Sequence, residues 1–427
     1  MAYLILPIQY GIWYFSRKVL KSTYHPAVIL CQLWFFVLLL TTAFAPDYYF
    51  SPMAYMLIIA MQISAVLGAA FYYFIGARAS VNTPRRFSAD FSHFRVIVYG
   101  SLFFGLVAIY TTLKAQGFGL SSMLSISGIL QVSHAMSLAR YEDQFQIPLL
   151  ARISQMAIFF SSAVGGFNYS LNRTRYRTFE YFLPIVPSLL IALILTTRAA
   201  VLFNLVFWVC ANLSGSLLGG GRVNLVLITK RTAMALVFGI LFITLMFVSL
   251  QFMRGGVTDL GRLKEILLHL RQWPFGSIAG FGIWADTFQF DWSATGGYYT
   301  FVGLFDQLGI QARKLGLYDQ YVNLGSQSWG NIYTAYRGLI QDYTLTGALF
   351  FMALLGFVGS TSFANCIRGN AVAASSLIAV YAFFFWTPIV SFYGYTAHIG
   401  AFILFGIYLK FCHRKARVFY GVSRGAI

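Results

Sequence analysis

Long apolar runs alternate with short polar connectors along most of this chain. Backbone amides find no water to bond in a hydrocarbon layer, so apolar runs of roughly 20 residues there must be helices rather than loops or open sheet. Eleven such runs fall near residues 2–16, 27–45, 53–76, 96–115, 149–168, 181–197, 199–219, 232–253, 344–364, 371–392 and 396–412. The first is short, and the sixth and seventh nearly fuse. The expected fold is all-α, a polytopic helical membrane protein. No basic region precedes the first run and no small-residue cleavage site follows it, so it is expected to be a retained helix and not a removed signal peptide.

Two polar stretches are long enough to hold structure, residues 116–148 and the much larger 254–343. The chain is therefore expected to divide into N-terminal helices over 1–253, a large loop over 254–343 and C-terminal helices with a basic tail over 344–427. A connection of about 90 residues is far longer than usual, and such loops tend to carry function. From Trp273 to Tyr336 the large loop is densely aromatic, so it can bury area and fold onto the bundle. Its aromatics fit either an interfacial belt or a sugar-stacking surface. Leu263, Ile266, Leu267 and Leu270 predict a short amphipathic helix over 261–270, with a second expected over 300–312. There is no internal repeat, which removes one usual signature of secondary transporters.

With 59% hydrophobic, 18% aromatic and 10% charged residues, the chain is not an ordinary water-soluble domain. The net charge of +18 first suggests nucleic acid. Sorting the charges by loop gives another answer. Nineteen of the 30 cations fall on alternate connectors that hold only Asp90 and Glu180 as acids. That is the positive-inside pattern at every loop, so the charge is assigned to orientation and contact with anionic lipid, not to nucleic acid. The C-terminus is expected in the cytoplasm and, with an odd helix count, the N-terminus outside. Cys31, Cys210, Cys366 and Cys412 suggest no disulfide.

Signatures of soluble enzymes are missing. Gly219-Gly220-Gly221 follows a membrane helix without the strand that a phosphate loop needs. His134, His269 and His398 lack metal-ligand spacing, so neither metal nor cofactor is expected. The densest polar chemistry lies in Gly330-Asn-Ile-Tyr-Thr-Ala-Tyr-Arg-Gly-Leu-Ile-Gln-Asp-Tyr-Thr-Leu-Thr-Gly347, at the start of the ninth run.

These residues resemble a family, the bacterial O-antigen polymerases, or Wzy-type oligosaccharide repeat-unit polymerases. Asn331-Ile-Tyr-Thr-Ala-Tyr-Arg337 with Asp342 and Gly347 is similar to that family's signature at the end of its large periplasmic loop. Gly296-Gly-Tyr-Tyr-Thr-Phe301 is similar to its mid-loop element, and Thr197-Arg198, at a tight outer turn, to its shared arginine. The resemblance implies a multi-pass protein of the inner membrane that polymerises undecaprenyl-diphosphate-linked oligosaccharides on the periplasmic side. A chain-length-regulating Wzz-type co-polymerase is an implied partner.

Such a reaction has physical requirements of its own. An acceptor hydroxyl attacks the donor's anomeric carbon and lipid diphosphate leaves. Without a metal, arginines must hold the diphosphate, because a guanidinium matches phosphate oxygens bidentately and keeps its charge in a dry site. A carboxylate or imidazole must serve as general base. Arg198, Arg337 and Arg254 are the candidates for diphosphate. Each has a plainer alternative: a snorkelling turn residue, a structural pair with Asp342, and a charged stop at a helix end. Asn331, Tyr333 and Thr334 are candidates for binding sugar or phosphate, or for capping the following helix. Asp342, His398 and His269 are the candidate bases, with Asp286, Asp291 and Asp306 as unranked acids. The nearest rival is an O-antigen ligase, whose loop histidine would have to be His269. A lipid-linked oligosaccharide flippase or other transporter is a rival of another class, and it should carry charges along its helices, which this chain does not.

Overall fold

The computed structural model describes residues 2–75, 86–88, 93–141, 147–173, 175–220, 241, 244–252, 263–290, 292–313, 317–325, 328–415 and 417–419. They are mostly helical and fall into two compact units. One unit comprises residues 1–90, 217–220 and 271–427; the other comprises 91–216 and 221–270. The described residues from 271 onward thus share a unit with those of the first 90.

The first unit holds α1 (Ala2–Leu20), α2 (Pro26–Phe44) and α3 (Pro52–Phe74). Proline at the first helical position costs nothing in bonding, because that amide has no partner inside the helix. Both α2 and α3 start this way. His25 Nδ1 accepts from the Ala27 amide, and Ser51 Oγ accepts from the Ala54 amide, satisfying amides that each helix leaves open. From the C-terminal part of the chain come α11 (Ala335–Ile367), α12 (Ala373–Trp386) and α13 (Thr396–Lys415).

Helices α3 and α11 approach so closely that a methyl group on Gly68 would sit 1.9 Å from the Ala353 carbonyl oxygen, and one on Gly356 1.9 Å from that of Ala65. Small residues let helix backbones meet where lipid supplies no hydrophobic drive between them. Polar ties cross the same bundle. Gln9 and Gln62 exchange hydrogen bonds, His25 Nε2 lies 2.9 Å from Ser360 Oγ, and Trp34 Nε1 donates to Thr387 Oγ1 at 3.1 Å.

The described residues of 271–343 fold into this core rather than over it. Ile278, Phe281, Trp284, Tyr298 and Tyr318 share one buried cluster with Leu30, Trp34 and Tyr55. The expected helix over 261–270 is part of a longer one, α9 (Leu263–Thr287), which continues through Pro274. The expected helix over 300–312 is only α10 (Val302–Gln307), and Gly309, at φ +69°, turns the chain away after it. A small hairpin follows, β2 (Val322–Gly325) with β3 (Ser328–Gly330), pairing Val322 with Gly330 and Asn323 with Trp329. A short strand, β1 (Arg86–Ser88), pairs with β4 (Arg417–Phe419).

The second unit holds α4 (Phe94–Ala115), α5 (Ile126–Tyr141), α6 (Leu149–Leu171), α7 (Ile185–Leu195) and α8 (Ala199–Leu218). Glu180, buried between α6 and α7, accepts from Arg95 at 3.1 Å and from Tyr99 at 3.2 Å.

Among the described residues, six helices are long and apolar enough to cross a membrane: α2, α3, α4, α6, α8 and α11. The chain is an all-α polytopic membrane protein. The sixth expected run is corrected in length, because α7 has 11 residues, about 16 Å at 1.5 Å per residue against a hydrocarbon layer of about 30 Å. Helix α5, inside the expected loop 116–148, was not legible as an apolar run. The eighth run lies mostly outside the described residues; 244–252 are helical. Helix α11 is longer than expected at 33 residues and is broken at Thr344 (φ 63°, ψ 175°), the residue where its apolar run begins.

Candidate functional site

The break at Thr344 leaves a short polar helix, residues 335–343, ahead of the apolar one, and this segment carries Arg337 and Asp342. Thr334 occupies its N-cap position in extended conformation, but its hydroxyl makes no capping bond. The Ala335 amide is taken instead by the Thr387 carbonyl, at 2.9 Å.

Arg337 is 3% exposed in the first helical turn. Its guanidinium carbon lies 4.0 Å from the ring centres of both Tyr318 and Tyr333 and 5.4 Å from that of Trp284. Nη2 donates to Gln320 Oε1 at 2.8 Å, and Nε to Gln341 Oε1 at 3.3 Å. Nη1 is buried without a hydrogen-bond partner, and so is the Thr334 hydroxyl. No carboxylate lies within ion-pairing distance of Arg337 among the described residues. Burial raises the Tyr318 phenol well above its usual pKa and raises that of Tyr333, with Arg337 pulling both the other way. Both rings therefore stay neutral and do not cancel the cation.

Asp342 does not pair with Arg337. Its Oδ1 accepts from Thr295 Oγ1 at 2.5 Å and the Tyr299 amide at 2.9 Å; its Oδ2 accepts from the Thr300 amide and hydroxyl, both at 2.6 Å. Four donors fill the roughly four acceptor positions of a carboxylate. The Gly296 amide also donates to the Asp342 carbonyl, and the Thr300 carbonyl accepts from Ser391 Oγ. Residues 295–301 thus form a strap held across residues 341 and 342. Two segments far apart in sequence, 296–301 and 331–347, meet here.

The other expected site residues are placed as follows. Tyr333 donates its hydroxyl to the Gln320 carbonyl at 2.9 Å, and Asn331 Nδ2 to the Tyr318 carbonyl at 3.4 Å, so both hold the 318–320 segment beside Arg337. His398 is buried, stacked on Phe392 at 4.3 Å, with Nδ1 bonded to the Phe392 carbonyl. A carbonyl only accepts, so Nδ1 carries the proton and Nε2 is the acceptor nitrogen. Arg198 belongs to the second unit. Its Nη2 donates to Gln251 Oε1 at 2.5 Å, and its guanidinium carbon lies 5.4 Å from the Phe247 ring centre. His269 falls within α9 with its side chain outside the described residues, and Arg254 and Asp291 lie outside them altogether.

Comparison with protein-family models, with curated proteins and with solved structures found no match.

What the site can do follows from its charges. An unpaired buried ion costs several kcal/mol in desolvation, and a cation–π contact returns only about 0.5–2 kcal/mol. A cation in a first helical turn also opposes the helix dipole, which favours anions there, and α11 has no acid in that turn. The arrangement favours a negative, oxygen-rich partner for Nη1. Among the described residues, no group of three or more His, Cys, Asp or Glu side chains is placed to hold a metal.

Sequence reasoning missed Trp284, Tyr318, Gln320 and Gln341 as neighbours of Arg337. Only Gln341 was within reach, standing four residues on along a helix.

Proposed function

We propose that this protein is a membrane glycosyltransferase that polymerises undecaprenyl-diphosphate-linked oligosaccharide repeat units on the periplasmic face of a bacterial inner membrane, with its C-terminus in the cytoplasm. The observation that supports this reading best is the buried Arg337 guanidinium, partnered by rings and amides but by no carboxylate among the described residues. An acceptor hydroxyl attacks the anomeric carbon, the bond to the diphosphate oxygen breaks, and the hydroxyl proton passes to one of the candidate bases, Asp342, His398 or His269. Arg337 binds the diphosphate as it leaves with its added charge. Asp342 holds the 295–301 strap, and burial raises its carboxyl pKa against the hydrogen bonds that lower it. The glycosyl phosphate bond drives the transfer, so no nucleotide is required.

The test is Arg337→Ala. A hydrogen bond to a charged group is worth about 1.5–3 kcal/mol, and about 1.4 kcal/mol is tenfold, so losing the Nη1 bond predicts a rate loss of about 10- to 100-fold. Cells carrying this variant at normal membrane levels should make lipopolysaccharide bearing one repeat unit, without the long-chain ladder. Arg337→Lys keeps the charge without the fork and should fall between. An unchanged ladder in Arg337→Ala would remove the assignment. Loss of all attached glycan in a deletion strain would point to ligation or flipping instead.

A further inference from the structure

Helix α9 separates two different environments within its unit. On one side, Gly280 meets the Ile332 carbonyl and the Tyr333 ring, and Trp284 faces Arg337. On the other, Gly282 meets Ser51 and the Tyr49 ring, and Asp286 accepts from Tyr49 Oη at 2.9 Å and Ser51 Oγ at 2.7 Å. The second side is a cleft of about 140 Å³ between the α2–α3 connection and α9, lined by Thr41, Thr42, Tyr49, Phe50, Tyr55 and Ala279 among others.

Its size and lining select among ligands. A water occupies about 30 Å³, and drug-sized pockets run to about 300–1,000 Å³, so this cleft has room for about one small ring. The Thr41 and Thr42 hydroxyls donate to the Val37 and Leu38 carbonyls, and Tyr49 donates to Asp286. What these groups offer a ligand is therefore acceptor lone pairs, beside a carboxylate. Tyr48 also lines the cleft under the Arg271 guanidinium, and its hydroxyl, buried without a hydrogen-bond partner, adds a donor, so the rim can both accept from and donate to sugar hydroxyls. The walls are aromatic, with Phe50 and Tyr55 stacked at 4.5 Å and the Tyr49 ring 46% exposed. An aromatic face, negative at its centre, packs well against the C–H face of a pyranose.

We propose that this cleft is a saccharide subsite that holds one neutral pyranose ring against the Tyr49 and Phe50 walls. Assigning that ring to the lipid-linked glycan rests on the proposed function; its being a saccharide does not. The cleft and the Arg337 site lie on opposite sides of one helix, whose diameter with side chains is about 10–12 Å.

Saturation-transfer NMR on the full chain in amphipol, free of sugar detergent, tests the proposal with the methyl glycosides of glucose, galactose, mannose, N-acetylglucosamine and rhamnose as probes. At least one should receive saturation, strongest at its ring C–H protons. The signal should drop at least fivefold in Thr42→Trp, which fills the cleft mouth, and in Tyr49→Ala, which removes a wall. Tyr49→Phe, which keeps the wall, and Arg337→Ala should both retain it. Unchanged elution and melting temperature establish that the variants are folded. No signal from any probe, or a signal surviving in both cleft variants, would overturn the subsite. An unchanged glycan ladder in Arg337→Ala together with an intact probe signal would instead remove the diphosphate reading and leave the subsite standing.

Discussion

Arg337 and Asp342 stand five residues apart, both buried, and each finds its partners elsewhere: rings and amide oxygens for the arginine, a strap of hydroxyls and amides for the aspartate. The carboxylate is finished and the guanidinium is not. Gln320→Glu tests this directly, because the Gln320 oxygen already lies 2.8 Å from Arg337 Nη2. A carboxylate there completes the ion pair within the fold. The expected result is a higher melting temperature with a weaker glycan ladder, since the built-in anion competes with the substrate's. A variant that is no more stable than the parent and fully active would show that Arg337 has no unmet demand for negative charge. Arg337 and Asp342 were visible in the sequence as unusual residues at the edge of an apolar run. Their partners were not, because Thr295, Thr300, Tyr318 and Gln320 reach them through loop folding that follows no helical period.

At the level of the elements, apolar length was the reliable signal. The starts of α2, α3, α4 and α6 fall within a few residues of the expected runs, because a run of some 20 apolar residues has little choice but to be a helix. The failures lie where length and apolarity part company. Helix α7 reads as a span but stops at Leu195, where Thr196 turns left-handed (φ 50°), and α5 forms from a stretch with Ser, His and Arg scattered along it. The α3–α11 contact is legible only in hindsight, as glycine in two apolar runs. It makes a sharp prediction. Gly68→Leu or Gly356→Leu must push backbones apart, because the first side-chain carbon alone would overlap a carbonyl oxygen. Overpacking of this kind costs typically about 1–3 kcal/mol, more where backbone must move. Either variant should melt several degrees lower in thermal-shift assays, while Gly100→Leu, whose added carbon meets nothing within 4 Å, should leave the midpoint near that of the parent.

Across the whole molecule, one unit is built from the two ends of the chain, and this has a bearing on how the protein is made. Helices α2 and α3 are synthesised early, yet the residues that complete their packing arrive far later: His25 meets Ser360, Trp34 meets Thr387, and Ser64 donates to the Leu349 carbonyl. At roughly 5–20 residues per second, the stretch between Asp90 and residue 350 takes on the order of 13–50 s to synthesise. Throughout that interval the early helices hold buried-type polar groups with no native partner, apart from the reciprocal Gln9–Gln62 pair. A chain terminated at residue 330 should therefore be cleared within minutes in a pulse-chase, whereas supplying residues 331–427 in trans should prolong its lifetime. The nascent protein passes through a waiting period in which it is exposed to membrane proteases, and its yield depends on how quickly the ribosome delivers the far end.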